Sequence, residues 1–456
     1  MARKVFISFL GFTNYKECRY YKDDFCSESV RYIQEATLDY LLGKEEWSNN
    51  DVAYILLTDG AKTNNWLDNG HKVYGTNEPI IQEGLQTRLT EKHYPFQIKT
   101  VEQLPVGKNE SELFEIFKRV YDVLEPGDKL YFDITHGFRS LPMLALVLVN
   151  YSKFLKGIEV KSITYGNFEV KEEIIDKEGG KYFKAPIIDL LPLSGIQDWT
   201  FAAADYLKNG NADRFMILSR DYRISLFKGL KSGDHKEAIN ISSLTTSLNA
   251  VTDDFQTCRG HEILSCENIS SLKDYLNRLD KTVIEPLNPV IKKIEEAFAP
   301  FKKPDKKGEA NYTNGLEAAR WCIDNNLYQQ AATILQETVV SFFCHKYNLD
   351  IDKESQRKLV NGAFAKVKKI NSSKTKADEM ELIKSEIQKC PITKNFIVDD
   401  VLSNREVYEA FNLLTDERND INHSGMRPQP HSAETIRKNI KKAFDVLYCH
   451  FVELKV

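Results

Sequence analysis

Several things are missing from this chain, and each absence narrows its function. The eight cysteines stand at positions 18, 26, 258, 266, 322, 344, 390 and 449 with no CxxC pair. That spacing favours reduced thiols over a disulfide framework and offers no clustered ligands for zinc, so no metal site is expected. The most apolar stretch, Leu141–Val149, falls far short of the roughly 20 residues a spanning helix needs. The opening MARKVFISFLG lacks the apolar core and cleavage site of a signal peptide, so a cytoplasmic protein with no membrane partner is expected. Neither GxGxxG nor GxxxxGK[ST] occurs, which disfavours dinucleotide coenzymes and P-loop triphosphates. Charge of one sign is also lacking. With 62 basic and 66 acidic residues the net charge is −4, which argues against a broadly basic nucleic-acid-coating surface but permits a local basic cleft. No internal repeat or low-complexity tract is found.

What is present divides the 456 residues into two styles. Val5–Leu10, Val52–Thr58, Phe96–Val101, Lys129–Ile134 and Val160–Tyr165 read as strands, rich in Val, Ile, Phe and Tyr. Ser27–Leu42, Glu78–Glu91 and Glu110–Leu124 carry apolar residues at helical spacing. Such alternation predicts a doubly wound, parallel α/β sheet over residues 1–195, closed by a hairpin of Glu169–Ile175 and Lys181–Ile188. From about Asp198 the chain reads as helical: Phe201–Lys208, Ala212–Leu230, His235–Asp254, Ser270–Leu287 and Pro289–Phe298. Residues 196–310 are expected as a helical connector ending in the linker Ala299–Ala310, and 311–456 as an all-helical domain. That last part is predicted to hold Gly315–Asn325, Tyr328–Tyr347, Arg357–Lys368, Lys376–Gln388, Asn404–Ile421 and Ala433–Leu454.

In open α/β sheets ligands bind beyond the carboxyl ends of the strands. Polar loops occupy that edge here: Gly11-Phe12-Thr13-Asn14-Tyr15, Thr58-Asp59-Gly60 and, after Asp133, Thr135-His136-Gly137-Phe138-Arg139. Gly11 and Gly137 would let backbone N–H groups approach a phosphate, and a helix start after Gly137 favours an anion. Thr13, Asn14, Thr135 and His136 suit ribose or base, Arg139 suits phosphate, and Tyr15 and Phe138 suit base stacking. A strand end with an Asp/Thr-capped turn accounts for Asp133 and Thr135 equally well.

Far downstream stands Arg418-Asn419-Asp420-Ile421-Asn422-His423, at the end of an amphipathic helix stopped by Gly425 and Pro428. A guanidinium matches two phosphate oxygens and an imidazole can move protons near neutral pH, the needs of RNA cleavage through the 2′-hydroxyl. His423 would move the proton, Arg418 would hold the phosphoryl oxygens and Asn419 would position one or the other. The expected ends are 2′,3′-cyclic phosphate and 5′-OH, with DNA resistant. Arg418 and His423 lie about 140° apart around a regular helix, so convergence calls for a two-fold dimer. Of two lysine runs, Lys302, Lys303, Lys306 and Lys307 suit a solvated linker. Lys366, Lys368, Lys369, Lys374 and Lys376 suit substrate phosphates.

Two resemblances now join these segments. Arg418-Asn419-x3-Asn422-His423 looks like the Arg-x4-His motif of the HEPN ribonuclease superfamily, over roughly residues 311–456. VFISFLGFTNY and YFDITHGFRSLPML resemble the CRISPR-associated proteins named for a DxTHG motif, whose N-terminal CARF domain is a Rossmann-like sensor, over most of residues 1–190. Together they imply a CARF–HEPN ribonuclease of type III CRISPR defence, a homodimer or an oligomer of dimers. It would be switched on by cyclic oligoadenylate, cyclic tetra-adenylate ahead of hexa-adenylate, and would act on single-stranded RNA without a cofactor. The resemblance carries ligand contact onto Gly11 to Tyr15, Thr58, Asp59, Asp133 and Thr135 to Arg139, with Tyr165 and Gly166 at another strand end. It carries catalysis onto Arg418, Asn419 and His423. The alternatives are a sensor with a catalytically silent helical domain, or a ring nuclease that degrades the messenger.

Overall fold

A computed structural model describes residues 2–137, 139–175, 179–220, 235–279, 288–304, 310–371 and 392–453. The chain falls into two compact units, Met1–Gly195 and Ile196–Val456.

The first unit is built on one mixed sheet. Its strands are β1 (Lys4–Phe9), β2 (Cys18–Lys22), β3 (Phe25–Val30), β4 (Val52–Leu56), β5 (Gln97–Val101), β6 (Lys129–Asp133), β7 (Glu159–Gly166), β8 (Glu172–Ile175) and β9 (Lys181–Asp189). They run β3-β2-β9-β7-β6-β1-β4-β5, with β8 hydrogen-bonded to β9. The five strands expected from the sequence form the parallel run from β5 through β4, β1 and β6 to β7. Strand periodicity places Val5, Ile7 and Phe9 on one face with Ile116, Val120, Ala145 and Leu148 of the Glu110–Asp122 and Leu141–Lys156 helices. Phe6 points to the other face with Leu38 and Leu41 of the Ile33–Lys44 helix and with Leu85 and Leu89. Both faces of the central strands are therefore covered, as a parallel sheet requires.

Two helix expectations do not survive. Ser27–Leu42 is split: Phe25–Val30 pairs with β2 as an antiparallel hairpin turned at Asp23, and helix begins only at Ile33. Ser27 betrays the strand. It is buried on the inner side, where its hydroxyl accepts the Tyr20 N–H at 2.8 Å. Glu78–Glu91 shrinks to Leu85–Glu91, because Pro79 lacks a donor and Asp68 starts the helix instead, accepting from Gly84 N and Thr87 Oγ1. The hairpin expected from the sequence is present as β8 and β9, with residues 176–178 outside the described residues.

Within the second unit the described residues are mostly helical. One buried cluster runs from Ala202, Tyr206 and Phe255 through Trp321, Val339 and Phe364 to Phe411 and Phe451. Where described, the segment expected as a connector thus shares its core with residues 311–456. Tyr312–Asp324 and Tyr328–Lys346 form the expected helical hairpin, turned at Asn326 with a left-handed φ of 61°. Arg405–Asn422 and Ala433–Glu453 form a second antiparallel pair. The expected helix Lys376–Gln388, and parts of Ala212–Leu230 and Ser270–Leu287, lie outside the described residues. No described helix is long and apolar enough to cross a membrane.

Candidate ligand crevice and candidate nuclease helix

The sheet has one topological switch. From β1 the chain winds outward through β4 to β5, then returns to β6 on the opposite side of β1 and proceeds to β7. In doubly wound sheets such a switch point is where a ligand crevice is expected, here beyond the carboxyl ends of β1 and β6. The loops that follow those strands are Gly11–Tyr15 and Thr135–Arg139.

Side-chain contacts lock the two loops together. The Tyr15 ring stacks on His136 at 4.2 Å between centroids, 21° from coplanar, and meets Tyr32 edge-on at 6.0 Å. Gly11 makes the stack possible: a Cβ there would lie 2.2 Å from the Tyr15 hydroxyl oxygen. Beneath the stack, Ser8 Oγ donates to Asp133 Oδ2 at 2.6 Å while accepting from Gln34 Nε2 at 3.0 Å. Thr135 Oγ1 donates to Asp133 Oδ1 at 2.5 Å and accepts the Gly166 N–H at 2.8 Å. One buried carboxylate so braces the ends of β1, β6 and β7.

Across the mouth, Asn65 Nδ2 donates to the carbonyls of Gly11 at 2.9 Å and Thr13 at 2.8 Å, and Asn65 Oδ1 lies 3.0 Å from His71 Nε2. Asn64 Nδ2 donates to Phe12 O at 2.9 Å. Sequence reading missed this support. Ser8 was detectable as a lone polar residue inside VFISFL, but Asn64 and Asn65 sit in a wide helical turn, Lys62–Trp66, that has no recognisable pattern.

Burial sets the protonation of two groups here. Desolvation pushes the Asp133 carboxyl up to about 6, against hydrogen bonds from Ser8 and Thr135 that favour the charged form. Desolvation pushes the His136 imidazole down to about 4, so the ring stacked on Tyr15 is neutral at physiological pH.

The expected ligand contacts therefore divide. Asp133 is fully buried and faces Ser8 and Thr135, Thr58 uses its hydroxyl to accept the Ala61 N–H at 3.2 Å, and Gly166 is buried with its N–H on Thr135. These residues shape the crevice from behind. Phe12, Thr13, Asn14, Asp59, Gly137 and Arg139 are exposed, and Tyr165 is half-buried. Phe138 lies outside the described residues. Gly137 has φ +145°, and a Cβ there would lie 2.6 Å from Leu141 Cδ2. Gly137→Ala is expected to destabilise the first unit by about 1–3 kcal/mol. Faster amide exchange across Lys129–Asp133 would register that loss, and unaltered exchange would contradict it.

In the second unit, the helix bearing the hexapeptide ends where expected. Its last turn closes with Ser424 and Gly425 at φ 55° and 68°, and Gly425 N donates to Asp420 O at 2.9 Å. Glu417 and Asp420 face inward. Glu417 Oε1 is hydrogen-bonded to His431 Nδ1 at 2.8 Å and to Asn439 Nδ2 at 2.6 Å, and Asp420 Oδ2 accepts the His431 N–H at 3.0 Å. These contacts strap the following turn onto the helix and leave Asn419, Asn422 and His423 exposed. Arg418 is half-buried: Nη1 donates to Gln336 Oε1 at 2.9 Å, and the buried Nε has no hydrogen-bond partner among the described residues. No hydrogen bond joins Arg418 to His423, in keeping with their wide angular separation. The second lysine run is not a free cationic surface where it is described. Lys366 is buried and Lys368 Nζ lies 3.1 Å from Asp416 Oδ1. The Lys369 side chain, Lys374 and Lys376 lie outside the described residues, as do Lys306 and Lys307.

Parallel strands wound in both directions from β1, with helices on both faces, define a doubly wound α/β class. Residues 5–169 match the family described as "CRISPR system endoribonuclease Csx1, CARF domain". The chain is also similar to a CRISPR-associated protein of Methanocaldococcus jannaschii, 24% identical over 238 residues, which is 52% of this chain and 32% of that relative. The matched part thus spans about a third of the relative's length. The first likeness supports a CARF domain over residues 5–169, and the second supports a relation to CRISPR-associated proteins.

Proposed function

We propose that this protein is a cyclic-oligoadenylate-activated endoribonuclease of type III CRISPR defence, acting on single-stranded RNA as a homodimer. The observation that carries the reading is the Tyr15–His136 stack, which brings both expected ligand loops to one crevice in a CARF-like unit. Cyclic tetra-adenylate would set its adenines and phosphates against Phe12 to Asn14, Gly137 and Arg139 at the rim. The helix start beyond Gly137 adds backbone N–H groups and a favourable dipole for phosphate.

For the nuclease step, RNA supplies its own nucleophile. His423 would take the 2′-OH proton or protonate the leaving 5′-oxygen, Arg418 would neutralise the phosphoryl oxygens, and Asn419 would orient them. A single helix does not converge Arg418 on His423, so a two-fold axis would have to assemble the site from both copies. Arg418 spends one nitrogen on Gln336 and keeps a buried Nε–H with no partner among the described residues, which suits a resting state. Activation then requires that the messenger bind the aligned arrangement more tightly than the resting one. The test is digestion of labelled single-stranded RNA in EDTA, with and without cyclic tetra- or hexa-adenylate. Messenger-dependent cleavage with 2′,3′-cyclic phosphate ends is expected. Binding of messenger without cleavage would favour a silent helical domain instead.

A dimer surface is available beside the crevice. The Leu141–Lys156 helix buries Ala145, Leu148 and Val149 but exposes Met143 at 75%, Val147 at 53% and Phe154 at 85%. Those exposed side chains lie on one face, together with Tyr151, which meets Phe117 edge-on. Covering such residues stabilises by roughly 1.5–3 kcal/mol each, which favours a second copy there. The double substitution Val147→Asp and Phe154→Asp is expected to yield a monomer by light scattering, with stimulated cleavage lost. A persisting dimer would place the interface elsewhere.

A further inference from the structure

We infer that an open groove beside the candidate nuclease helix holds the RNA strand by its phosphates, with Tyr328 as a base platform. This inference deepens the ribonuclease reading and rests on it. The groove, about 670 Å³, lies between Tyr328 and the Ala433–Glu453 helix, where Arg437, Lys438, Lys441 and Lys442 line it. Glu434 and Asp445 are its acidic members, one at each end of the cationic stretch.

The cations are arranged for an extended anion. Positions 438, 441 and 442 share one exposed face of the helix, and successive turns repeat about every 5.4 Å along it, comparable with the step between phosphates of a single strand. Lys438, Lys441 and Lys442 form no ion pair with a carboxylate among the described residues. By contrast, Lys346, Lys353, Arg357, Lys358, Lys368 and Arg405 in the same unit are all paired. In a chain of net charge −4, cations left unneutralised on one surface mark where an anion is received. Tyr328 supplies the second half of single-strand recognition. It is half-buried, its ring lies 5.7 Å from the Arg437 guanidinium, and a ring held in this way can stack on a base of any identity.

One hydrogen bond ties the neighbour of a groove residue to the helix end that carries the catalytic candidates. Gln329, directly after Tyr328, donates through Nε2 to Asn422 Oδ1 at 3.2 Å, and Asn422 precedes the exposed His423. A strand held at Tyr328 would therefore lie near the helix end that carries the imidazole.

The test uses the full chain with His423→Ala, so that RNA survives the measurement, and adds Lys438→Gln, Lys441→Gln and Lys442→Gln. Binding of a fluorescein-labelled single-stranded RNA of mixed sequence is followed by anisotropy across a salt series, with and without cyclic tetra-adenylate. The three lysine changes are expected to weaken binding at least about tenfold. They should also flatten the slope of log K against log[salt] by about 2, at about 0.7 for each phosphate that is no longer neutralised. Tyr328→Ala should weaken binding with no change of slope, because stacking releases no counterions. Affinity and slope equal to those of the parent would overturn the groove, as would a parent that binds no RNA in either condition. The two readings separate in steady-state cleavage, where the groove changes raise KM whereas His423→Ala lowers kcat. Should His423→Ala cleave normally, the catalytic assignment falls, and the same anisotropy series on a 2′-O-methyl RNA, which lacks the nucleophile, still judges the groove.

Discussion

Replacing His423 with alanine is expected to lower the rate of RNA cleavage by about 10²–10⁴-fold, the usual contribution of a positioned proton-transfer group. Affinity for cyclic tetra-adenylate should stay as it is. The structure makes the substitution clean. His423 is exposed, caps the helix through its backbone N–H on Asn419 O at 3.0 Å, and has no side-chain hydrogen bond among the described residues. The fold therefore loses nothing with the imidazole. Glu417, Asp420, His431 and Asn439 carry the strapping of the turn and remain in place. Arg418→Ala is a less discriminating change, because it also leaves Gln336 Oε1 without its donor. Cleavage of labelled RNA, followed together with messenger binding by calorimetry, checks the result. Undiminished cleavage by the His423 variant would remove this residue from the mechanism.

His136→Phe is expected to expose a pH dependence that the native first unit conceals. Asp133 has a folded-state value raised from 3.8 to about 6, so its contribution to stability is complete below pH 3.8 and is lost as pH rises through about 6. His136 is lowered from 6.5 to about 4, so its contribution is complete above pH 6.5 and is lost as pH falls through about 4. Between these limits the two oppose each other, each worth about 3 kcal/mol across its window. With both groups present the stability of the β1–β6 edge should be nearly flat between pH 4 and 6. Phenylalanine retains the stack on Tyr15 and removes the titration, leaving Asp133 alone. Stability in that variant should fall as pH rises through this range. Amide exchange in β1 and β6 is the measurement, and a flat profile in the variant would refute the opposition.

Much of the α/β unit was legible because strand burial repeats every second residue and leaves a pattern of apolar letters. Val5, Ile7 and Phe9 against Phe6 is such a pattern, and all five strands read from it lie in the sheet. Phe25–Val30 escaped because Ser27 does an inward residue's work through a hydroxyl, and a period-based reading takes serine for solvent. The helical hairpin and the Arg405–Asn422 helix were legible from apolar spacing and from the breakers that end them. Lys368, the exposed described member of the second lysine run, was hard to judge for a different reason. Charge is visible in sequence, but pairing is not: Lys368 is neutralised by Asp416, which is remote in the chain, while Lys441 and Lys442 form no ion pair among the described residues.

By itself the sequence determined the change from alternating to helical patterning near residue 195, the parallel strands and the polar loops that follow them, because local periodicity and turn chemistry are written in neighbouring residues. The separate connector it suggested over 196–310 shares one buried core with residues 311–456 where it is described. Only the tertiary structure decided which of those loops meet. The switch between β1 and β6 brings Tyr15 onto His136 and seats Asp133 behind them, and the antiparallel helix pair turns Arg418 inward and His423 outward. The physical reason is distance along the chain. Stacking, burial and charge pairing act between groups separated by many tens of residues, and no local pattern records which partner a folded chain will provide.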